Sequence, residues 1–333
     1  MSSSQNFKAY LVTKKKDKKA EASIVTRTLK DLPPGEVIIR VAYSSLNYKD
    51  ALSATCSPGV TKHYPHVPGI DAAGEVEESQ AVQFKPGDKV LITGYDFGSN
   101  TDGGYSQFVR VPAEWVVPLP ENLSLKQSMI LGTAGFTAAI GVQLIQRNGV
   151  LPENGEVVVT GATGGVGSIA VALLAKLGYQ VVASTGKADA HDFLKQLGAF
   201  RIIGRSEFDD QSGLPLLKGV WAGGIDTVGG NTLTTLLKSV NVQGSVAACG
   251  VVAGPKLDLT VFPFILRGVN LLGIDSALWP RESRHNIWRK FANEWKLENL
   301  EAMSKTIGME KLDGYIAQIL KGKIRGRIVV KIE

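Results

Sequence analysis

The spacing of apolar and polar positions changes twice along this chain. Up to about residue 128 the apolar residues come in short stretches, such as Val37-Ile38-Ile39-Arg40-Val41 and Lys89-Val90-Leu91-Ile92, bounded by Gly, Pro and Asp; that pattern predicts short strands. Phe84-Lys85-Pro86-Gly87-Asp88 carries the residues of a turn. Near Ser124 the period becomes helical, and Ser124-Leu125-Lys126-Gln127 reads as an N-cap with a capping-box variant. From there to about Gly273 strand and helix patterns alternate. Val157-Val158-Val159 suits a strand buried on both faces. Val166, Ile169, Ala170, Leu173, Leu174 and Leu177 then share one helical face, Gly178 stands where a C-cap belongs, and Val181-Val182-Ala183 opens the next strand. Beyond it the pattern predicts a helix over Ala188–Leu197, strands over Arg201–Ile203 and Ile225–Val228, a helix over Thr232–Leu237, and strands over Ser245–Cys249 and Leu271–Ile274. Six strands alternating with helices predict an α/β doubly wound parallel sheet. After Ser276 helices are expected around Arg284–Lys296 and Tyr315–Leu320, then a closing strand over Arg327–Ile332. That strand would pair best with the β-rich N-terminal part. Residues 1–128 and 275–333 therefore read as one domain and 129–274 as a second inserted in it, with a substrate cleft between them.

Composition adds bounds. A chain of 333 residues suggests two domains, and 44% hydrophobic with 20% charged residues suits an ordinary globular protein. No apolar run reaches the ~18 residues of a membrane span, and the start MSSSQNFKAY lacks a signal-peptide core. Two unpatterned cysteines, Cys56 and Cys249, build no disulfide framework and fit a reducing compartment, so a cytoplasmic protein is expected. A net charge of +6 and a pI near 9.1 admit an anionic ligand. The run Lys14-Lys15-Lys16-Asp17-Lys18-Lys19 lies between strand-like segments and reads as a solvated hairpin tip. No interleaved aromatics accompany it, so neither nucleic acid nor membrane is an expected partner.

The most informative stretch follows the first strand of the alternating region. Gly161-Ala162-Thr163-Gly164-Gly165-Val166-Gly167 sits between a predicted strand and a predicted helix, the context a dinucleotide-binding turn requires. Gly164 would let the backbone approach a pyrophosphate, and Gly167 would let helix and strand pack closely. Thr163, Gly164, Gly165 and Val166 would supply N–H groups at the helix N-terminus. The second strand ends in Ser184-Thr185-Gly186-Lys187, without the acidic residue that binds a ribose 2′-hydroxyl. Two hydroxyls and an ammonium suit a 2′-phosphate instead, so NADPH is favoured over NADH. Arg205, after the third strand, could reach the same phosphate.

These pieces resemble a known family over nearly the whole chain: a zinc-independent medium-chain dehydrogenase/reductase of the quinone oxidoreductase branch. The matching motifs are Asn47-Tyr48-Lys49-Asp50, Pro68-Gly69-Ile70-Asp71-Ala72-Ala73-Gly74, Gly132-Thr133-Ala134-Gly135-Phe136-Thr137-Ala138, the AxGxxG turn and Gly326-Arg327-Ile328-Val329-Val330. Phe262-Pro263-Phe264-Ile265-Leu266-Arg267-Gly268 and Gly273-Ile274-Asp275-Ser276 are similar to the YhdH/YhfP type, to which the bacterial acrylyl-CoA reductases belong. The resemblance implies a GroES-like domain around a Rossmann domain, NADPH as reductant and a homodimer. It also implies that Thr137 and the loop after Cys249, with Gly250, border the cofactor, that Gly273 and Ile274 offer backbone groups to the carboxamide, and that Val228 lies along the ribose with Gly229. Arg327 is either a pyrophosphate contact or a surface arginine on an edge strand.

Zinc-dependent relatives carry a Cys and a Gly-His-Glu motif where this chain reads Asn47-Tyr48 and Gly69-Ile70-Asp71, and two cysteines cannot build a four-Cys site. His63 and His66 lie in a proline-broken stretch and read as surface or loop histidines. No metal ligand set is expected. Asn47 and Tyr48 are the candidate catalytic donors: reduction of an enone or enoyl thioester builds negative charge on the carbonyl oxygen, which hydrogen bonds can stabilise. The alternative reading makes Asn47 a turn residue and Tyr48 a packing residue. Asp50 reads as an orienting group, and Asp71 is open between the same roles. Three functions compete: NADPH-dependent enoyl reduction with acryloyl-CoA favoured, NADPH:quinone reduction, and non-catalytic NADPH or nucleic-acid binding.

Overall fold

The computed structural model describes residues 5–15 and 20–332; Lys16 to Lys19 of the basic run lie outside the described residues. The chain forms two compact units, Met1–Thr133 with Ala277–Glu333, and Ala134–Ser276.

The first unit opens with β1 (Asn6–Lys14) and β2 (Ala20–Thr28), an antiparallel pair in register from Asn6↔Thr28 to Lys14↔Ala20. Then come β3 (Val37–Leu46), α1 (Tyr48–Ala54), β4 (Asp71–Ser79), β5 (Lys89–Thr93), β6 (Phe108–Val111) and β7 (Val117–Pro118). Helix α2 (Leu125–Arg147) starts at the expected capping box: the Gln127 N–H donates to Ser124 Oγ and the Ser124 N–H to Gln127 Oε1, both at 3.1 Å. Gly132, at φ 50° and ψ −156°, breaks this helix. An 18-residue window of α2 has mean hydropathy 1.6, enough by length and composition to cross a membrane, yet 89% of it is buried inside the protein. The sequence reading missed this stretch because Ser, Thr and Gln interrupt its apolar run.

The second unit holds β8 (Val157–Val159), α3 (Gly165–Lys176), β9 (Val181–Thr185), α4 (His191–Gln196), β10 (Arg201–Gly204), β11 (Trp221–Asp226), α5 (Gly230–Ser239), β12 (Val240–Ala248), α6 (Phe262–Arg267) and β13 (Asn270–Gly273). Its sheet runs β10-β9-β8-β11-β12-β13, every pairing parallel. Counted from β8 this is the order 3-2-1-4-5-6, the doubly wound dinucleotide fold. All six strands stand where the alternation predicts them. β11 begins four residues before the predicted Ile225, since Ala222-Gly223-Gly224 carries too little side chain to register as a strand. Those glycines let neighbours close in: a Cβ on Gly224 would lie 2.9 Å from the Val158 carbonyl oxygen.

The chain then returns to the first unit as α7 (Arg281–Ala292), β14 (Ser304–Gly308), α8 (Leu312–Leu320) and β15 (Arg327–Lys331). The sheet order is β14-β15-β3-β4-β5-β7, with β6 also on β3. β15 pairs antiparallel with β3, Ile328 opposite Leu46, as the sequence reading expected. It is not an edge strand, because β14, which the pattern did not reveal, covers its other side. Ile39, Val90, Phe97, Val330 and Leu312 are among the residues of this unit's core.

Candidate active site

Three strand ends in the first unit bring polar residues together. β3 runs out at Leu46 beside the first residues of β4 and β15, so Ser45, Asn47, Asp71 and Arg327 converge. Asp71 is fully buried and accepts hydrogen bonds from Ser45 Oγ, from Asn47 Nδ2 at 2.8 Å, and from the Thr133 N–H at 3.0 Å and hydroxyl at 2.6 Å. Thr133 reaches it because the chain turns at Gly132, where a Cβ would stand 2.5 Å from Asp71 Oδ2 and where the positive φ suits glycine. Arg327, 3% exposed, places Nη2 3.9 Å from Asp71. It donates to Ser45 Oγ at 2.9 Å, Asn47 Oδ1 at 3.2 Å and the Ile130 carbonyl at 2.8 Å. Asp50, also fully buried, accepts from the N–H groups of Asn47 and Ile70, both at 2.8 Å. The Tyr105 hydroxyl closes the cluster with a 3.2 Å bond to the Ser45 carbonyl.

Two buried carboxylates face one guanidinium. Burial and then the Asp71 charge push the Asp50 carboxyl up to about 7. Arg327 keeps its proton, since guanidinium does not deprotonate in proteins.

The two expected donors part company here. The Asn47 amide is committed: its N–H₂ serves Asp71 and Asp50, and its oxygen receives Arg327. It ties the cluster together. Tyr48, the first residue of α1, is half-buried, and its hydroxyl makes no hydrogen bond among the described residues. Arg327 is not the surface arginine of one reading, and its guanidinium is bound within this cluster. The sequence carried no sign of that, because its partners come from residues 45 to 130.

In the second unit the Gly-rich turn has the shape the motif requires. Gly161 sits at φ 59°, and a Cβ on Gly167 would lie 2.3 Å from the Gly161 carbonyl oxygen, so α3 packs directly on the turn. Gly164 is the N-cap of α3, and the only neighbour of a Cβ there is that same oxygen at 3.3 Å. Thr163 lies in the turn, and Gly165 and Val166 are the first residues of α3. Ser184 and Thr185 end β9; the Thr185 hydroxyl receives the Lys187 N–H at 3.1 Å, while Ser184 Oγ is buried without a hydrogen bond among the described residues. Arg205 follows β10 and lies against Gly186, where a Cβ would be 2.9 Å from its Nε. The end of β11 is organised by Asp226, which accepts from Thr160 Oγ1 at 2.6 Å and from the N–H groups of Val228 and Gly229 at 3.2 and 2.7 Å. The sequence reading did not single out Asp226; a lone acid closing an apolar strand was the available signal. The Cys249 thiol, pushed up to about 12 by burial and by Asp226, stays protonated and borders Gly250. Thr137 is buried in α2. Gly273 is open, but the Ile274 N–H is already given to the Ala248 carbonyl at 3.1 Å, leaving only its carbonyl to a ligand.

Among the described residues no group of three His, Cys, Asp or Glu side chains could hold a metal ion. His63 is exposed and His66 is a buried loop histidine, the two alternatives that the sequence left open. His66 is 3% exposed, with Nε2 3.0 Å from the Gly98 carbonyl oxygen, and burial holds its pKa down. The bridge between His66 and Val12 draws it inside.

A β-rich unit interrupted by a six-stranded dinucleotide-type sheet is the architecture of the medium-chain dehydrogenases/reductases. The alcohol dehydrogenase GroES-like domain family matches residues 33–121, and the zinc-binding dehydrogenase family matches residues 165–293. Acrylyl-CoA reductase AcuI of Ruegeria pomeroyi is 46% identical over 327 residues, covering 98% of this chain and 99% of that protein. The crystal structure of Escherichia coli K-12 YhdH with bound NADPH superposes with a TM-score of 0.94 at 44% identity, covering 98% of this chain and all of that one. That of Bacillus subtilis YhfP with NAD bound gives 0.95 at 44% identity, covering 99% and 100%. The chain belongs to the medium-chain dehydrogenase/reductase family, in its YhdH/YhfP type.

Proposed function

We propose that this chain is a zinc-independent, NADPH-dependent reductase of activated C=C bonds, with an acryloyl-CoA-type enoyl thioester as the favoured acceptor and a quinone as the alternative. The observation that carries the reading is Tyr48: a hydroxyl with no hydrogen bond among the described residues, at the head of a helix fixed by a buried, hydrogen-bonded polar cluster. The similarity to acrylyl-CoA reductase AcuI supports the acceptor.

The second unit fits NADPH on three observations: a turn whose glycines leave room for phosphate, an orphaned Ser184 hydroxyl, and Lys187 and Arg205 flanking the same strand end. Bound NADPH supplies a hydride to the β-carbon of the acceptor. Tyr48 donates a hydrogen bond to the thioester carbonyl oxygen as negative charge grows there, and its proton or one from water completes the α-carbon. Asn47, Asp71 and Arg327 hold α1 in place. Thr163 to Val166 present N–H groups to the pyrophosphate, and Ser184, Thr185, Lys187 and Arg205 select the 2′-phosphate.

NADPH consumption with acryloyl-CoA, crotonyl-CoA and benzoquinone tests the function. Acryloyl-CoA should give the highest kcat/KM; turnover of benzoquinone alone moves the reading to the quinone alternative, and turnover of none overturns both. Lys187→Ala removes a charge-assisted contact worth roughly 1.5–3 kcal/mol. The KM for NADPH should therefore rise about ten- to hundred-fold while that for NADH barely moves; an equal rise for both would remove Lys187 from the selection.

The protein is a homodimer in this reading. β13 is an open edge of its sheet, and Val251, Val252, Val261, Ile265, Leu266 and Leu271 are exposed around it. Unpaired strand edges and apolar patches of this kind invite a second copy. Ile265→Asp with Leu266→Asp should halve the mass seen by light scattering; an unchanged mass would place any interface elsewhere. Both cysteines are free, which suits the cytoplasm.

A further inference from the structure

The sheet of the second unit reverses its strand order between β8 and β11. In sheets of this kind ligands bind outside the carboxyl ends of the strands, at the reversal. One side-chain hydrogen bond bridges the two strand ends there. Thr160, just past β8, gives its hydroxyl to Asp226, the last residue of β11, at 2.6 Å. The Thr160 hydroxyl also receives the Thr227 N–H at 3.0 Å, and the Thr160 carbonyl receives the Thr227 hydroxyl at 2.8 Å. The other carboxylate oxygen of Asp226 takes the N–H groups of Val228 and Gly229. Its backbone carbonyl takes the Cys249 N–H at 3.0 Å, which brings in the end of β12. One residue thus ties three adjacent strand ends together.

The two loops that follow β11 and β12 leave no slack between them. A Cβ on Gly250 would lie 1.9 Å from the Thr227 carbonyl carbon, and one on Gly229, at φ 76°, 2.7 Å from the Gly250 carbonyl oxygen. The Val228 carbonyl receives the Ala253 N–H at 2.9 Å. Thr227, Val228, Cys249 and Gly250 are each half-buried, whereas Asp226 beneath them is fully buried. Burial pushes its carboxyl above the usual carboxylate range, and no cation pairs with it among the described residues. An acid buried without a counter-ion costs stability that an apolar residue at the same strand end would not. What the acid supplies, and an apolar residue cannot, is acceptors for the loop N–H groups.

The place of these loops follows from the cofactor reading above. There the 2′-phosphate lies at the end of β9 and the pyrophosphate at the turn after β8. Continuing across the sheet in the same direction leads to β11 and β12, so the nicotinamide end falls on their side. We propose that Asp226 is the positioning residue for that end. Its carboxylate fixes the Thr227–Gly229 and Cys249–Gly250 loops in the shape that receives the nicotinamide ribose and ring, and it acts only through their backbone. The assignment rests on the NADPH reading.

The test compares the binding of two ligands by calorimetry: NADPH, and adenosine 2′,5′-bisphosphate, which carries the 2′-phosphate half and no nicotinamide. In Asp226→Ala the Kd for NADPH should rise about ten-fold, the equivalent of one charge-assisted hydrogen bond. The Kd for the bisphosphate should stay within about two-fold, as for a site with no shared partner. At saturating NADPH the fluorescence anisotropy of the nicotinamide should fall, because the ring is held less firmly. Asp226→Asn keeps an oxygen for the Val228 and Gly229 N–H groups and should recover part of the loss. Thr160→Val, which removes the bridging hydroxyl, should shift NADPH in the same direction as Asp226→Ala. Should Asp226→Ala not fold, these two variants carry the same comparison. Equal losses on both ligands, no loss on either, or an unchanged anisotropy at saturation overturns the assignment. A wild-type protein that binds neither ligand overturns the NADPH reading itself.

Discussion

Tyr48→Phe should lower the turnover of acryloyl-CoA by about 10²–10³, the usual loss for one oxyanion donor. The substitution removes only the hydroxyl and leaves the ring to pack. That hydroxyl has no partner among the described residues, so no buried group there is orphaned and stability should change little. The dissociation constant for NADPH should also hold, because Tyr48 belongs to the first unit and the phosphate-binding turn to the second. Loss of kcat with intact cofactor binding is the signature of an interaction made in the transition state. A quinone should suffer less, since its reduced oxygen takes a proton from water. A variant retaining more than about half its activity on every acceptor would make Tyr48 a packing residue. The Asn47 amide could not then take over without releasing Asp71.

What could be read from the sequence followed the range of the interactions. The Gly-rich turn, the six strands and the capping box at Ser124 depend on residues a few positions apart, and local pattern finds them. The place of Ser184 and Thr185 at the end of β9, with Lys187 just beyond, was legible for the same reason. The polar cluster was not. Asp71 opens an Ala-Ala-Gly run and Arg327 opens an Ile-Val-Val run, and each looks like a polar cap on a strand. Only the pairing of β15 with β3, across some 280 residues of chain, makes them neighbours. Asp50, three residues beyond Asn47, reads as an orienting group from the sequence, but nothing local reveals Asp71, the second carboxylate that the Asn47 amide meets. The edge strand β14 escaped notice because Ser304-Lys305-Thr306-Ile307-Gly308 has one strongly apolar residue to mark it. His66 lies in a loop, as one of the two readings has it, and the bridge to Val12 that accompanies its burial is non-local and so not legible.

The cluster has an energetic consequence that Arg327→Met would expose. Methionine fills much of the same space but removes the only cation facing Asp50 and Asp71 among the described residues. Removing one partner from a buried charge network typically costs about 3–5 kcal/mol, because the remaining charge has no compensation. Denaturant unfolding near neutral pH should therefore show a fall of that size. The sign of its pH dependence follows from Asp50. Its carboxyl already titrates near 7 in the folded protein, above the 3.8 of an ordinary aspartate, through burial and the Asp71 charge. A raised carboxyl makes the folded state bind the extra proton, so its contribution to stability is present at low pH and is lost as pH rises from about 4 through 7. Without Arg327 the Asp50 carboxyl holds its proton more tightly still, and the decline should extend above pH 7. The penalty should thus be smaller at pH 5 than at pH 8. Adding Asp71→Asn to Arg327→Met removes the stranded charge and should recover more than 1 kcal/mol, the coupling expected of neighbours in one network. Equal losses at pH 5 and pH 8, with no recovery in the double variant, would mean that Arg327 acts by packing alone and that its charge does not hold the site together.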